Sequence, residues 1–154
     1  MSSTTTAQPD PDTLSPKERL DRDTYKARKL KDQIAVLEVE HHPRYPEMPS
    51  VPLTFLINPS VAVLDQTAVD DWEGCLSVPD MRGLVPRFKQ LRVTALGRKG
   101  EQLDFIASDF HARVIQHETD HLKGEVYLDR MPNLRSLGHL LEWQRFMLGP
   151  ADKK

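Results

Sequence analysis

The stretch from Leu91 to Gly124 restricts the fold more than any other part of the chain. Leu91-Arg92-Val93-Thr94-Ala95-Leu96 and Gln102-Leu103-Asp104-Phe105-Ile106 read as two strands, and Gly97-Arg98-Lys99-Gly100 between them is hairpin punctuation. The second strand leads directly into a helix: Ser108 stands where an N-cap belongs, Phe110, Val114, His117 and His121 recur on one face, and Gly124 is a natural stop. Upstream, Ile34-Ala35-Val36-Leu37-Glu38-Val39, Leu53-Thr54-Phe55-Leu56-Ile57 and Val61-Ala62-Val63-Leu64 read as three more strands. A Pro-rich loop from His42 to Pro52 and a second loop from Trp72 to Phe88 are expected around them, and an amphipathic helix from about Leu134 to Met147 closes the chain. Runs of strands followed by helices, with no internal repeat, predict an α+β fold.

A length of 154 residues suits one compact domain. Residues 1–33 are Ser/Thr/Pro-rich and then heavily charged, and the apolar positions after Ser15-Pro16 (Leu20, Tyr25, Leu30) are too sparse for a buried face. That segment is read as a solvated helix or disorder, and residues 34–150 as the folded body. The 21 basic and 23 acidic residues are mixed along the chain, so charge points neither to a specific nucleic acid nor to a membrane surface. No apolar run approaches the roughly 20 residues that span a bilayer. Met1 to Asp12 has neither a basic nor an apolar region, so the chain is expected to stay in the cytoplasm. The single cysteine, Cys75, excludes an internal disulfide and fits a reducing compartment.

That helix carries Gln116-His117-Glu118-Thr119-Asp120-His121, a His-Glu-x-x-His pattern. Histidines at i and i+4 leave one helical face together and can hold one cation, and the intervening Glu118 is placed to act as general base on a water at that cation. An exposed charged face that matches by chance is the alternative. A catalytic metal site takes three protein ligands and keeps a position for water. Cys75, within Glu73-Gly74-Cys75-Leu76-Ser77, is the leading third candidate, against the ordinary role of a lone cysteine as a small buried hydrophobe.

Glu-Gly-Cys-Leu-Ser followed by Gln-His-Glu-x-Asp-His resembles the second and third signature motifs of the peptide deformylase family. The likeness extends through Val78-Pro79, Arg82-Gly83-Leu84-Val85-Pro86-Arg87, Leu122 and Gly124, and covers roughly Ile34 to Met131. The resemblance implies antiparallel strands packed around a central metal-binding helix. It implies Cys75, His117 and His121 as ligands of one divalent ion, Fe(II) first, with Zn(II), Ni(II) or Co(II) as substitutes. Glu118 becomes the catalytic carboxylate and the Leu76 backbone N–H an oxyanion donor. Glu73 and Gly74 fall beside the substrate, Arg82 near the substrate backbone, and Glu73 with Arg87 form a pair that braces the loop. The implied reaction is removal of the formyl group from N-formyl-methionyl peptides or nascent chains at the ribosome, with release of formate.

Other readings stay open beside it. The Glu73–Arg87 pair could equally be a surface ion pair of little worth. Asp120 could orient a histidine or simply be an exposed helix carboxylate. Trp72 and Phe110 are read as packing residues. The family's first motif, Gly-x-Gly-x-Ala-Ala-x-Gln, has no counterpart: Arg22 to Asp32 holds no glycine, and Gln33 abuts the first strand. Loss of one oxyanion donor of this kind costs on the order of a hundredfold in rate. A metal- and peptide-binding protein with impaired catalysis is therefore one alternative. A zinc endopeptidase with His139 as a downstream third ligand is another.

Overall fold

The computed structural model describes residues 32–40 and 49–147. The expectation for residues 1–33 falls almost wholly outside them. The first strand, β1 (Ile34–Val39), buries Ala35 and Leu37 and turns Ile34, Val36 and Glu38 outward, the period-2 alternation that puts successive side chains on opposite faces. It pairs antiparallel with β2 (Val51–Cys75), from Ile34 opposite Ile57 to Val39 opposite Val51. A turn at Leu76-Ser77 returns the chain as β3 (Val78–Leu96), and β2 and β3 pair from Ile57 opposite Leu96 to Cys75 opposite Val78. β4 (Gln102–Ser108) completes the order β1-β2-β3-β4.

The long β2–β3 hairpin departs from the sequence reading in two ways. Leu53–Ile57 and Val61–Leu64 are parts of a single strand whose register slips between Ile57 and Ser60 and again on either side of Asp65. At the first slip Asn58 takes a φ of 51°, a left-handed conformation that asparagine tolerates better than most residues, and the bulge absorbs Pro59 without ending the strand. Val51 and Pro52, assigned to the Pro-rich loop, already belong to β2. The second departure is larger: Trp72 to Phe88 is not a loop but the end of β2 and the first half of β3. Its inward positions are Gly83, Val85 and Arg87, so the alternation is real but carried mainly by a glycine and a charged residue. An apolar pattern cannot display it.

The Gly97–Gly100 turn is where the sequence places it: the Gly97 N–H donates to the Glu101 carbonyl at 2.8 Å, and Gly100 takes a φ of 82°. Helix α1 (Asp109–His121) follows β4 with no intervening loop. Ser108 holds the N-cap position without making the capping bond; its hydroxyl accepts instead from the Gln90 side chain at 3.3 Å. Gly124, with a φ of 78°, ends the turn after α1 as expected. Ala112 and Ile115 of α1 pack on Ala35, Leu37, Leu56, Leu91, Val93 and Ala107 of the sheet, forming one core. At roughly 1.5–3 kcal/mol for each fully buried aliphatic side chain, this contact anchors the helix to the sheet.

Beyond α1 come a single-turn helix α2 (Tyr127–Arg130), a 3-10 turn (Leu134–Ser136), a two-residue strand β5 (Gly138–His139) and helix α3 (Leu140–Met147). The expected Leu134–Met147 helix is thus broken in its first half. Gly138 and His139 pair with Arg82 and Met81 of β3, and the Leu84 N–H donates to the Ser136 hydroxyl at 3.1 Å, so sheet pairing replaces helical bonds there. The architecture is the expected α+β arrangement of antiparallel strands about a central helix with a helix at the C-terminal end. Among the described residues no helix is long and apolar enough to cross a membrane.

Candidate metal centre

The turn at the tip of the β2–β3 hairpin delivers Cys75, and the inner face of α1 delivers His117 and His121. One ligand atom from each lies within 4.8 Å of the others, and Cys75 Sγ is 3.2 Å from His121 Nε2. Each ring is held by its other nitrogen: His117 Nδ1–H donates to Glu73 Oε2 at 3.0 Å, and His121 Nδ1–H to the Glu125 carbonyl at 3.0 Å. Those bonds leave Nε2 as the lone-pair nitrogen in both rings, the tautomer a metal ligand needs. The Cys75 thiol is raised by burial, but the Ser77 N–H and His117 outweigh that and bring it down to about 7, so thiolate is accessible near neutral pH. One soft sulfur and two imidazoles suit a single late first-row divalent ion. Residues and ion therefore fit.

Glu73 is the hub behind these ligands. It is buried, and its carboxylate accepts from Arg87 Nε and Nη2 at 2.9 and 3.0 Å, from Arg113 Nη1 at 2.7 Å and from His117. Burial alone would raise its pKa. The hydrogen bonds from His117 and Arg87 prevail and lower it to about 2. In return, the hydrogen bond to Glu73 raises the pKa of His117 against the opposing effect of its burial. Arg87 reaches on to Asp120 at 2.6 Å, and Asp120 is held from its other side by Arg130 at 2.6 and 3.0 Å. The Glu73–Arg87 pair is consequently no surface ion pair. Asp120 is neither exposed nor bonded to a histidine; it joins two arginines.

Arg113 is a functional residue the sequence reading missed. Buried on α1 one turn before His117, it also donates to the carbonyls of Val85 at 2.9 Å and Val69 at 2.6 Å, and so ties the helix to both long strands. Its signal is an arginine in the mostly apolar stretch Ala112 to Ile115, at the i, i+4 spacing that places it on the His117 face.

A cleft of about 450 Å³ opens beside the centre, lined among others by Glu73, Gly74, Arg82, His117 and Glu118. Glu118, the expected base, therefore lines open space together with His117. The Arg82 guanidinium lies across Gly74 so closely that a Cβ there would stand 1.6 Å from Nη1, so any side chain at this position would displace Arg82 from its place over the strand. Trp72 and Phe110, read as packing residues, line the cleft as well, and Trp72 meets Trp143 of α3 edge-on at 5.8 Å between centroids. Leu76 occupies the hairpin turn with its side chain exposed. His139, the alternative third ligand, lies in β5, where its Nδ1 accepts from the Leu141 N–H at 3.3 Å. It takes no part in the Cys75–His117–His121 group.

Fold and site together define a class: α+β proteins in which a central His-Glu-x-x-His helix and a hairpin cysteine offer one divalent ion a sulfur and two ring nitrogens. Residues 29–136 match the model of the polypeptide deformylase family, and the chain belongs to that family. It is 50% identical over 107 residues to peptide deformylase 1 of Nitrosomonas europaea, covering 70% of this chain and 61% of that protein. It is 46% identical over 106 residues to peptide deformylase 2 of Ralstonia nicotianae, covering 69% and 60%. The chain thus spans about three-fifths of the length of these relatives. Among solved structures it resembles a Met-Ala-Ser-bound class I type b peptide deformylase from Acinetobacter baumannii, with a TM-score of 0.62 at 29% identity over 76% of this chain and 82% of that one. A peptide deformylase from Synechococcus elongatus in complex with actinonin gives a TM-score of 0.56 at 33% identity over 66% and 52%. The family is metal-dependent and acts on peptides.

Proposed function

We propose that the chain hydrolyses the N-formyl group of formyl-methionyl peptides, with one divalent ion held by Cys75, His117 and His121. The observation that carries this reading is the gathering of those three ligand atoms within 4.8 Å, with one of them, His117, lining an open cleft together with Glu118. When bound, a divalent cation supplies Lewis acidity, lowering the pKa of water and polarising a carbonyl. Glu118 takes the proton that water loses as its oxygen attacks the formyl carbon, and returns it to the amine nitrogen as the C–N bond breaks. Formate and a free N-terminus result. The Leu76 N–H donates to the oxygen that becomes negative at the tetrahedral carbon. Gly74 and Glu73 flank the peptide, and Arg82 lies along its backbone. Fe(II) is the metal, with Zn(II), Ni(II) or Co(II) able to replace it. The substrates are nascent chains at the ribosome, in the cytoplasm, and residues 34–150 form the catalytic body.

Formate release from a formyl-Met peptide by anaerobically prepared, Fe(II)- or Ni(II)-loaded protein tests the proposal. Glu118→Gln is expected to keep one equivalent of metal and lose activity about 10²–10⁴-fold, the usual contribution of a general acid–base. Equal turnover in that variant refutes the assigned base. Metal binding without any formate supports the binding-protein reading, which the missing glycine-rich motif favours.

A further inference from the structure

His121 is held differently from His117. Glu73 belongs to a strand and is fastened by two buried arginines, whereas the group that accepts from His121 Nδ1–H is a main-chain carbonyl, that of Glu125, in the loop that leaves α1. A carbonyl can orient a ring only as well as its own loop is fixed. Three backbone bonds fold this loop back on the helix end: Lys123 and Glu125 N–H to the Asp120 carbonyl at 2.8 and 3.1 Å, and Gly124 N–H to that of His121 at 3.0 Å. All three act before or at Glu125. Two further restraints come from side chains: the Val126 N–H, in the same peptide group as the Glu125 carbonyl, donates to Asp129 Oδ2 at 2.8 Å, and Arg130 Nη2 donates both to Asp120 Oδ1 at 2.6 Å and to the Glu125 carboxylate, while its Nε donates to Asp120 Oδ2 at 3.0 Å.

We propose that Arg130 is a positioning residue for the metal centre: its guanidinium bridges the Asp120 and Glu125 carboxylates and so pins the carbonyl that keeps His121 Nε2 turned toward Cys75. The charges support this assignment. Asp120 is buried and already engaged by Arg87, and it is fixed on α1 as a stationary post. Without Arg130 the Glu125 carboxylate is left beside that second carboxylate with its bridging cation gone, and repulsion drives the loop outward. A planar fork that serves two carboxylates at once is a role lysine fills poorly. Arg130 thus completes a continuous chain, Glu73–Arg87–Asp120–Arg130–Glu125, whose two ends hold the two histidines.

The inference rests on the metal-centre reading, and its test separates the two. Co(II) affinity is measured by chelator competition, and the tautomer of His121 in the metal-free protein by nitrogen NMR at a pH where the ring is neutral. Arg130→Gln is expected to weaken Co(II) binding about 10–100-fold, the usual cost of losing a group that orients a ligand. It also moves His121 away from the Nδ1–H form, a change that a loss of global stability does not produce in molecules that remain folded. Adding Glu125→Gln removes the repulsion and recovers part of both. Should the glutamine variant fail to fold, Arg130→Lys tests the same point, with a several-fold loss expected. Parent-like affinity together with a parent-like His121 tautomer in either Arg130 variant overturns the assignment. A parent protein that binds no Co(II) overturns the metal-centre reading instead.

Discussion

The behaviour of the centre is decided by which side chains are buried with a charge. Glu73 sits among Arg87, Arg113 and His117, so replacing it with the isosteric Gln leaves two buried guanidinium groups with less than their matching negative charge. Breaking a buried network from one side costs about 3–5 kcal/mol, and at roughly 2–4 °C per kcal/mol for a chain of this size the melting temperature of Glu73→Gln is expected to fall by about 6–20 °C. A calorimetric change of under 2 °C would show that the arginines find other acceptors. The grouping of Cys75, His117 and His121 is legible in the sequence because it depends on residue type and, for the two histidines, on helical spacing. The residues that support them are less so. Glu73 gathers Arg87 from the opposite strand, a pair the family resemblance implies, and Arg113 from the helix, a partner that only the packing of α1 against the hairpin brings to it. The acceptor for His121 is a backbone carbonyl, which no residue type announces.

Elements divide the same way. The β3–β4 hairpin and α1 can be read from sequence because local signals agree: the Gly97–Gly100 turn, strand alternation, then helical periodicity. The long β2–β3 hairpin cannot, since Pro79, Pro86, Gly74 and Gly83 read as breakers while long-range pairing carries the strands through them. The broken C-terminal helix follows the same logic, with pairing to Met81 and Arg82 overriding a helical pattern. Gly124 offers a clean test of a local signal. A Cβ added there meets nothing within 4 Å, so substitution acts through the φ of 78° alone. Gly124→Ala is expected to destabilise by about 1–2 kcal/mol and Gly124→Asn by less, because asparagine enters the left-handed region more readily. Urea unfolding curves with unchanged slopes and midpoints ordered Gly, Asn, Ala check this; an alanine variant as stable as the parent would contradict the geometry.

For the whole molecule, the consequence of the fold is that its candidate ligands come from two different elements. Cys75 sits at the tip of the long hairpin and both histidines sit on α1, which is anchored to the other end of the sheet through Ala112 and Ile115. A cation shared by them links hairpin tip to helix, and an unfolded chain cannot present the same three groups at once. Binding to the native state alone stabilises it by RT ln(1 + [M]/Kd), about 2.7 kcal/mol when free metal is a hundred times its dissociation constant. At that excess of Ni(II) or Co(II) the melting temperature of the full chain is expected to rise by about 5–10 °C. Chelation should reverse the rise. In Cys75→Ala, whose loss removes the only ligand from the hairpin, the histidines remain a weak pair on one helix and the same metal concentration is expected to shift the transition by no more than about 2 °C. His139→Ala, by contrast, should keep the full metal-dependent rise, because His139 lies outside the ligand group. A variant series in which His139→Ala loses the shift and Cys75→Ala keeps it would make His139 the third ligand in place of Cys75 and end the deformylase reading of the site.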